Sequence, residues 1–196
     1  SAGNMLIVDS KNNRVQKFTI DGKFISKFGS AGSGDGEFNL PWGICLDKND
    51  NIYVADWRND RIQVFNADGQ WQQSIGKSGD GIGEFNRPTG VAVDGDGDIY
   101  VADWMNNRVE VFAPDGRFVT QFFGDTGLSK WGKDKLNSNP DMIRQWNLAS
   151  LNDPEYGKRF AHPCGVKIDS DGRVAIIDHT RGRIQVYIKE TEPVLH

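Results

Sequence analysis

One segment recurs four times in this chain of 196 residues, and that recurrence limits the fold more than any other property of the sequence. Residues 6–14, 53–61, 100–108 and 175–183 align without gaps from a shared aspartate (Asp9, Asp56, Asp103, Asp178) to a shared arginine (Arg14, Arg61, Arg108, Arg183). Successive aspartates stand 47, 47 and 75 residues apart, so the third interval carries 28 extra residues. A period of this size marks a supersecondary unit that buries its apolar face only against its neighbours.

Within one period, four short β-rich runs at 42–47, 51–56, 61–65 and 70–75 are divided by turn residues. We name them strands a, b, c and d. The a–b turns are rich in Asp, Asn and Gly (47–51, 94–98, 169–172), and the c–d turns are Asp-Gly (Asp21-Gly22, Asp68-Gly69, Asp115-Gly116), absent from the last copy. Such tight turns make neighbouring strands antiparallel. A four-stranded unit of this length falls between the roughly 40 to 45 residues of WD40 blades and the roughly 50 of kelch blades. The expected class is all-β: a β-propeller of four-stranded antiparallel blades with a short helical insertion.

Pro88-Thr-Gly-Val-Ala-Val-Asp94, then Asp98-Ile-Tyr-Val-Ala-Asp103, then Asn107-Arg-Val-Glu-Val-Phe112 together resemble the NHL repeat, and the resemblance covers nearly the whole chain. It implies an NHL-type propeller of about four blades, or part of a six-bladed ring. Repeat units are expected at about 4–29, 40–76, 87–124 and 162–190, with an inserted connector at 125–161. Strands b and c occur four times, but a and d three times each, so the chain reads as a segment that starts and stops inside blades. The alternative is a self-contained short ring, or one completed by association of copies through open blades. Proteins with such propellers bind protein, RNA or small ligands and occasionally catalyse, so the resemblance implies fold more than function.

Composition narrows the partners. A net charge of −4 and a pI near 5.4 offer nothing overall to phosphate backbones, which makes nucleic acid an unfavoured partner. No apolar run reaches the roughly 18 residues of a membrane span. Cys45 and Cys164 lie far apart and at different places in their repeats, which indicates neither a disulfide framework nor a zinc cluster.

The repeated pairs Asp9/Arg14, Asp56/Arg61, Asp103/Arg108 and Asp178/Arg183 are expected to be structural, because four identical copies suit a scaffold and an active site needs one constellation. Asp94, Asp96 and Asp98 present three carboxylates at alternating positions, which suits calcium. The EF-hand spacing fails, however, with Ile99 where glycine belongs, so a structural turn is expected. In the Gly-rich stretches 29–36 and 76–83 no Gly-Lys-Ser or Gly-Lys-Thr follows a strand with a helix behind it, as in a phosphate loop, so they read as blade connectors. Only His162, His179 and His196 are histidines, which supports a metal site poorly.

In such a blade the b–c turns share one face with the d-to-a connectors. That face carries Trp57, Arg58, Trp104, Met105, His179 and Arg181, residue types that anchor interfaces. The insertion reaches it too: Asn139-Pro140-Asp141 reads as the start of a helix over 140–151, bringing Arg144 and Trp146. We expect a non-catalytic binding or scaffold propeller that presents Trp57, Arg58, Trp104, Met105, Arg144, Trp146, His179 and Arg181 to a protein or small ligand, with no cofactor. The first alternative is a metal-dependent lactonase- or lyase-like propeller enzyme using His162 or His179, and the second is an RNA-binding NHL domain.

Overall fold

The computed structural model describes residues 3–124, 137–152 and 158–189, and these described residues form four antiparallel sheets in succession. The first has three strands, β1 (Met5–Asp9), β2 (Arg14–Phe18) and β3 (Phe24–Phe28). A short parallel pair, β4 (Ser30–Ala31) and β5 (Glu37–Phe38), lies in the connector to the second. That sheet has four strands: β6 (Pro41–Leu46), β7 (Ile52–Asp56), β8 (Arg61–Phe65) and β9 (Trp71–Ile75). The third repeats it with β10 (Pro88–Val93), β11 (Ile99–Asp103), β12 (Arg108–Phe112) and β13 (Phe118–Phe122). The last holds β14 (Pro163–Ile168), β15 (Arg173–Asp178) and β16 (Arg183–Ile188). Each sheet is an up-and-down meander, which is the propeller-blade arrangement.

Local chemistry dictates each hairpin. Every b–c turn ends on a left-handed residue, Asn13 (φ 52°), Asp60 (φ 51°), Asn107 (φ 54°) or Gly182 (φ 59°). Asn, Asp and Gly tolerate that conformation best, so the turn closes and each Asp is set opposite its Arg, as in Asp56↔Arg61.

The sheets pack face on face. Tyr53, Ala55, Ile62, Val64 and Ile75 of the second sheet meet Val91, Ile99, Val101 and Phe112 of the third. Ala92, Tyr100, Ala102, Val109 and Val111 then meet Val166, Val174 and Ile176 of the fourth. A connector phenylalanine plugs each junction: Phe38, Phe85 and Phe160 are buried in the three interfaces in turn. Gly76 makes room for this plug. It has φ +83°, and a Cβ there would lie 2.3 Å from the Phe85 ring.

Strands β6, β10 and β14 converge, while β3, β9 and β13 lie outermost. Close approach of the inner strands depends on Gly90, where a Cβ would sit 2.9 Å from the Cα of Gly165. On the fourth sheet, Ile177, Ile184 and Val186 occupy the positions that are buried in the second and third, yet they are exposed. Helix α1 (Pro140–Asn152) begins where the Asn139 side chain accepts the Asp141 amide at 3.0 Å. Its Leu148 is exposed.

Candidate ligand-binding face

The face that carries the b–c turns is built on buried carboxylates. Asp56 Oδ1 accepts the amide of Asn39 at 2.8 Å, and Oδ2 accepts Asn59 Nδ2 at 2.8 Å, Arg61 Nε at 2.9 Å and Gln63 Nε2 at 3.1 Å. Asp103 repeats this with Asn86 N (2.7 Å), Asn106 Nδ2 (2.7 Å) and Arg108 Nε (3.0 Å), and Asp178 with Ala161 N (2.7 Å) and Arg183 Nε (2.8 Å). The arginines then bind connector carbonyls, as Arg61 Nη2 does with those of Gly34 and Glu37 at 2.7 and 2.9 Å. Asp9 holds Arg14 Nε at 2.9 Å but keeps 22% of its side chain exposed. Its Asn12 and Arg14 hydrogen bonds keep its carboxyl below the ordinary range.

Backbone bonds seat the b–c turns of the second, third and fourth sheets on the connector that enters each sheet. Arg58 N–H donates to Asn39 O (3.0 Å), Met105 N–H to Asn86 O (3.1 Å) and His179 N–H to His162 O (3.3 Å). Between sheets, Asn13, Asp60 and Asn107 accept the amides of Leu40, Arg87 and His162 at 2.7, 2.8 and 2.8 Å. Those three residues share a left-handed φ of 54°, 61° and 56°, and each precedes the proline that opens strand a. The top of one sheet thereby fixes the entry of the next.

This registration brings two rows of equivalent positions together. Trp42, Thr89 and Cys164 each follow that proline, and Trp57, Trp104 and His179 each follow the buried aspartate. These six side chains, two each from the second, third and fourth sheets, line a hollow of about 290 Å³. Its three tryptophans form a chain of rings, with Trp42–Trp57 at 6.1 Å and Trp57–Trp104 at 6.3 Å between centroids, and Trp104 meets His162 beyond the lining at 5.2 Å. His162 Nδ1 lies 2.9 Å from Thr180 Oγ1. Burial raises the Cys164 thiol above its usual pKa, so it sits there as a neutral, weakly polar group.

Trp57 carries two guanidinium groups, Arg58 Cζ at 5.6 Å and Arg87 Cζ at 5.0 Å from its centroid. Among the described residues no carboxylate lines the hollow. Among the described residues, no three His, Cys, Asp or Glu side chains are grouped to hold a metal ion.

The opposite rim is arranged differently. Lys189 Nζ lies 3.0, 2.8 and 2.8 Å from carboxylate oxygens of Asp94, Asp96 and Asp98, so an ammonium group of the fourth sheet fills the acidic turn of the third. Partial burial opposes the Lys189 charge, but the hydrogen bonds it donates to the three carboxylates win and raise its pKa.

Of the residues singled out by sequence, Trp57, Trp104 and His179 line the hollow, and Arg58 stacks on Trp57. Met105 is exposed beside them, Arg144 is exposed on α1, and Arg181 is half-buried in the fourth b–c turn; none of the three lines the hollow. The side chain of Trp146 and all of His196 lie outside the described residues. Sequence reasoning missed Trp42, Thr89, Cys164 and Arg87. The signal for the first three was present: in the otherwise constant Pro-x-Gly that opens strand a, x is Trp, Thr or Cys.

Residues 1–54 and 46–109 match the model of a family described as 6-bladed beta-propeller. No match is found among curated proteins. Among solved structures, the chain is similar to a streptogramin B lyase at 17% identity and a TM-score of 0.58, covering 98% of this chain and 53% of that one. A virginiamycin B lyase from Staphylococcus aureus is similar at 14% identity and a TM-score of 0.54, over 98% and 54% of the two chains. A protein from Bacteroides caccae is similar at 14% identity and a TM-score of 0.54, over 95% and 57%. The chain thus spans about half the length of the solved structures it matches. At these identities the likeness is one of fold.

Proposed function

This chain belongs to a family of six-bladed β-propellers, and on that premise we propose that it is a non-catalytic binding propeller, of the NHL type in its repeats, whose ligand enters the tryptophan-lined hollow. The observation that carries this reading is the convergence of Trp42, Thr89, Cys164, Trp57, Trp104 and His179 on one hollow of about 290 Å³. Small-molecule pockets begin at about 300 Å³ and are mainly apolar with a few polar groups. The hollow therefore suits a small molecule or a single inserted side chain.

The rest of the face favours binding over chemistry. The carboxylates beneath it are saturated with amide and guanidinium donors, and the Cys164 thiol is held neutral. What is left for a ligand is aromatic surface on a backbone cross-linked between sheets. Such a rigid surface loses little conformational freedom on binding.

Naphthalene-2-methanol, titrated against the full chain and followed by tryptophan fluorescence, tests this. We expect saturable binding, weakened about tenfold or more by Trp104→Ala, as is usual for an aromatic anchor. Undiminished binding in Trp104→Ala and Trp57→Ala variants of parental thermal stability would sink the reading.

A further inference from the structure

We infer that the ligand of this hollow is an anionic planar molecule, an apolar ring system bearing one carboxylate, sulfonate or similar group that Arg58 and Arg87 recognise. The inference rests on the reading of the hollow as a binding site and names its ligand class.

Both guanidinium groups are placed by the fold. Arg58 lies in the b–c turn of the second sheet, whose backbone is tied to Asn39. Arg87 sits at a left-handed position whose amide is held by Asp60 at 2.8 Å. Each lies over the indole of Trp57, at 5.6 and 5.0 Å, and Trp57 is itself part of the wall of the hollow. Stacking orients a guanidinium plane but leaves its N–H edges unused.

The charges of both remain uncompensated. Among the described residues neither guanidinium group makes an ion pair or a side-chain hydrogen bond. The acids nearest in sequence are committed elsewhere: Asp56 to Asn39, Asn59, Arg61 and Gln63, Asp60 to the Arg87 amide and the Ser78 hydroxyl, and Glu84 to the Gly81 amide and Lys77. Other arginines of the repeats behave differently, for Arg61, Arg108 and Arg183 are all bound to their own aspartates. In a chain of net charge −4, two unpaired forks beside an apolar, acid-free hollow form a local site for an anion. The fork matches the planar oxygens of a carboxylate or sulfonate, while the tryptophans take the ring.

Isothermal titration of the full chain with naphthalene-2-sulfonate, naphthalene-2-methanol and naphthylmethyl-trimethylammonium separates the possibilities. A charge-assisted hydrogen bond contributes about 1.5–3 kcal/mol, so the sulfonate should bind about tenfold or more tightly than the alcohol. The ammonium probe should bind weakest. In Arg58→Gln/Arg87→Gln the sulfonate should fall to the affinity of the alcohol, whose own affinity stays put, and Arg58→Lys/Arg87→Lys should restore part of the preference.

Equal affinity for sulfonate and alcohol in the parent, or a sulfonate preference that survives the double glutamine variant, overturns the anion assignment and leaves the hollow as a binding site. Failure of all three probes, or alcohol binding indifferent to Trp104→Ala, overturns the hollow itself and the assignment with it.

Discussion

Glu110 stands where the other three sheets carry Gln16, Gln63 and Gln185. In the second sheet, Gln63 donates through Nε2 to Asp56 (3.1 Å) and to the Glu37 carbonyl (2.7 Å), while its Oε1 accepts the Gly36 amide at 2.9 Å. Glu110 keeps the accepting half, with Gly83 N–H at 3.2 Å. Its Oε2 is buried without a hydrogen-bond partner, because the amide donor has become a second acceptor beside Asp103. Burial pushes Glu110 up to about 7 against the pull of Arg108, whose Nη2 is 3.6 Å away, and burial raises Asp103 as well. A proton on Glu110 supplies the lost donor. Because the folded value exceeds the unfolded one, the stabilisation is complete below about 4.5 and is lost as pH rises through about 7, a loss of up to about 3 kcal/mol. Glu110→Gln should remove this loss: urea midpoints at pH 5 and pH 8 should fall less with pH in the variant than in the parent, and it should be the more stable of the two at pH 8.

At the scale of the element, the d-to-a connector does as much as any strand. Its phenylalanine fills the wedge between sheets, its amide reaches the buried aspartate, and its carbonyls take the arginine of strand c. Phe85 is 0% exposed, whereas Phe24, on an outermost strand, is 56% exposed. Phe85→Ala should therefore cost about 3–5 kcal/mol, the range for a large buried side chain, and Phe24→Ala less than about 1 kcal/mol. Equal shifts in urea denaturation would contradict the wedge role. The long third connector ends in the same way, with Phe160 and Ala161 in the places of Phe85 and Asn86. An insertion is therefore accommodated without disturbing the junction.

At the scale of the molecule, stability comes from repetition. Each sheet buries one face against its successor, so equivalent residues differ in worth by what lies in front of them. Ile62 is 0% exposed between the second and third sheets, and Ile184, its equivalent on the fourth, is 65% exposed. Ile62→Ala should cost about 2–5 kcal/mol and Ile184→Ala less than about 1 kcal/mol in denaturant unfolding. The same repetition makes the hollow, since it needs three sheets side by side and no single repeat contains it.

The four-strand blade was legible in the sequence because its causes are local. Asp-Gly and Asn-Asp turns, alternating strand residues and a fixed interval between Asp and Arg act over a few residues and survive in the linear text. Trp57, Trp104 and His179 were visible for the same reason, as variable residues at one position of a constant motif. Trp42, Thr89 and Cys164 were not singled out, because they lie in a different part of the repeat and meet the others only when glycines such as Gly90 let the inner strands close up. Arg87 was missed because its partner, Trp57, lies thirty residues away on another sheet. Local sequence determined the repeating unit, and packing between units alone decided which of its variable positions face one another.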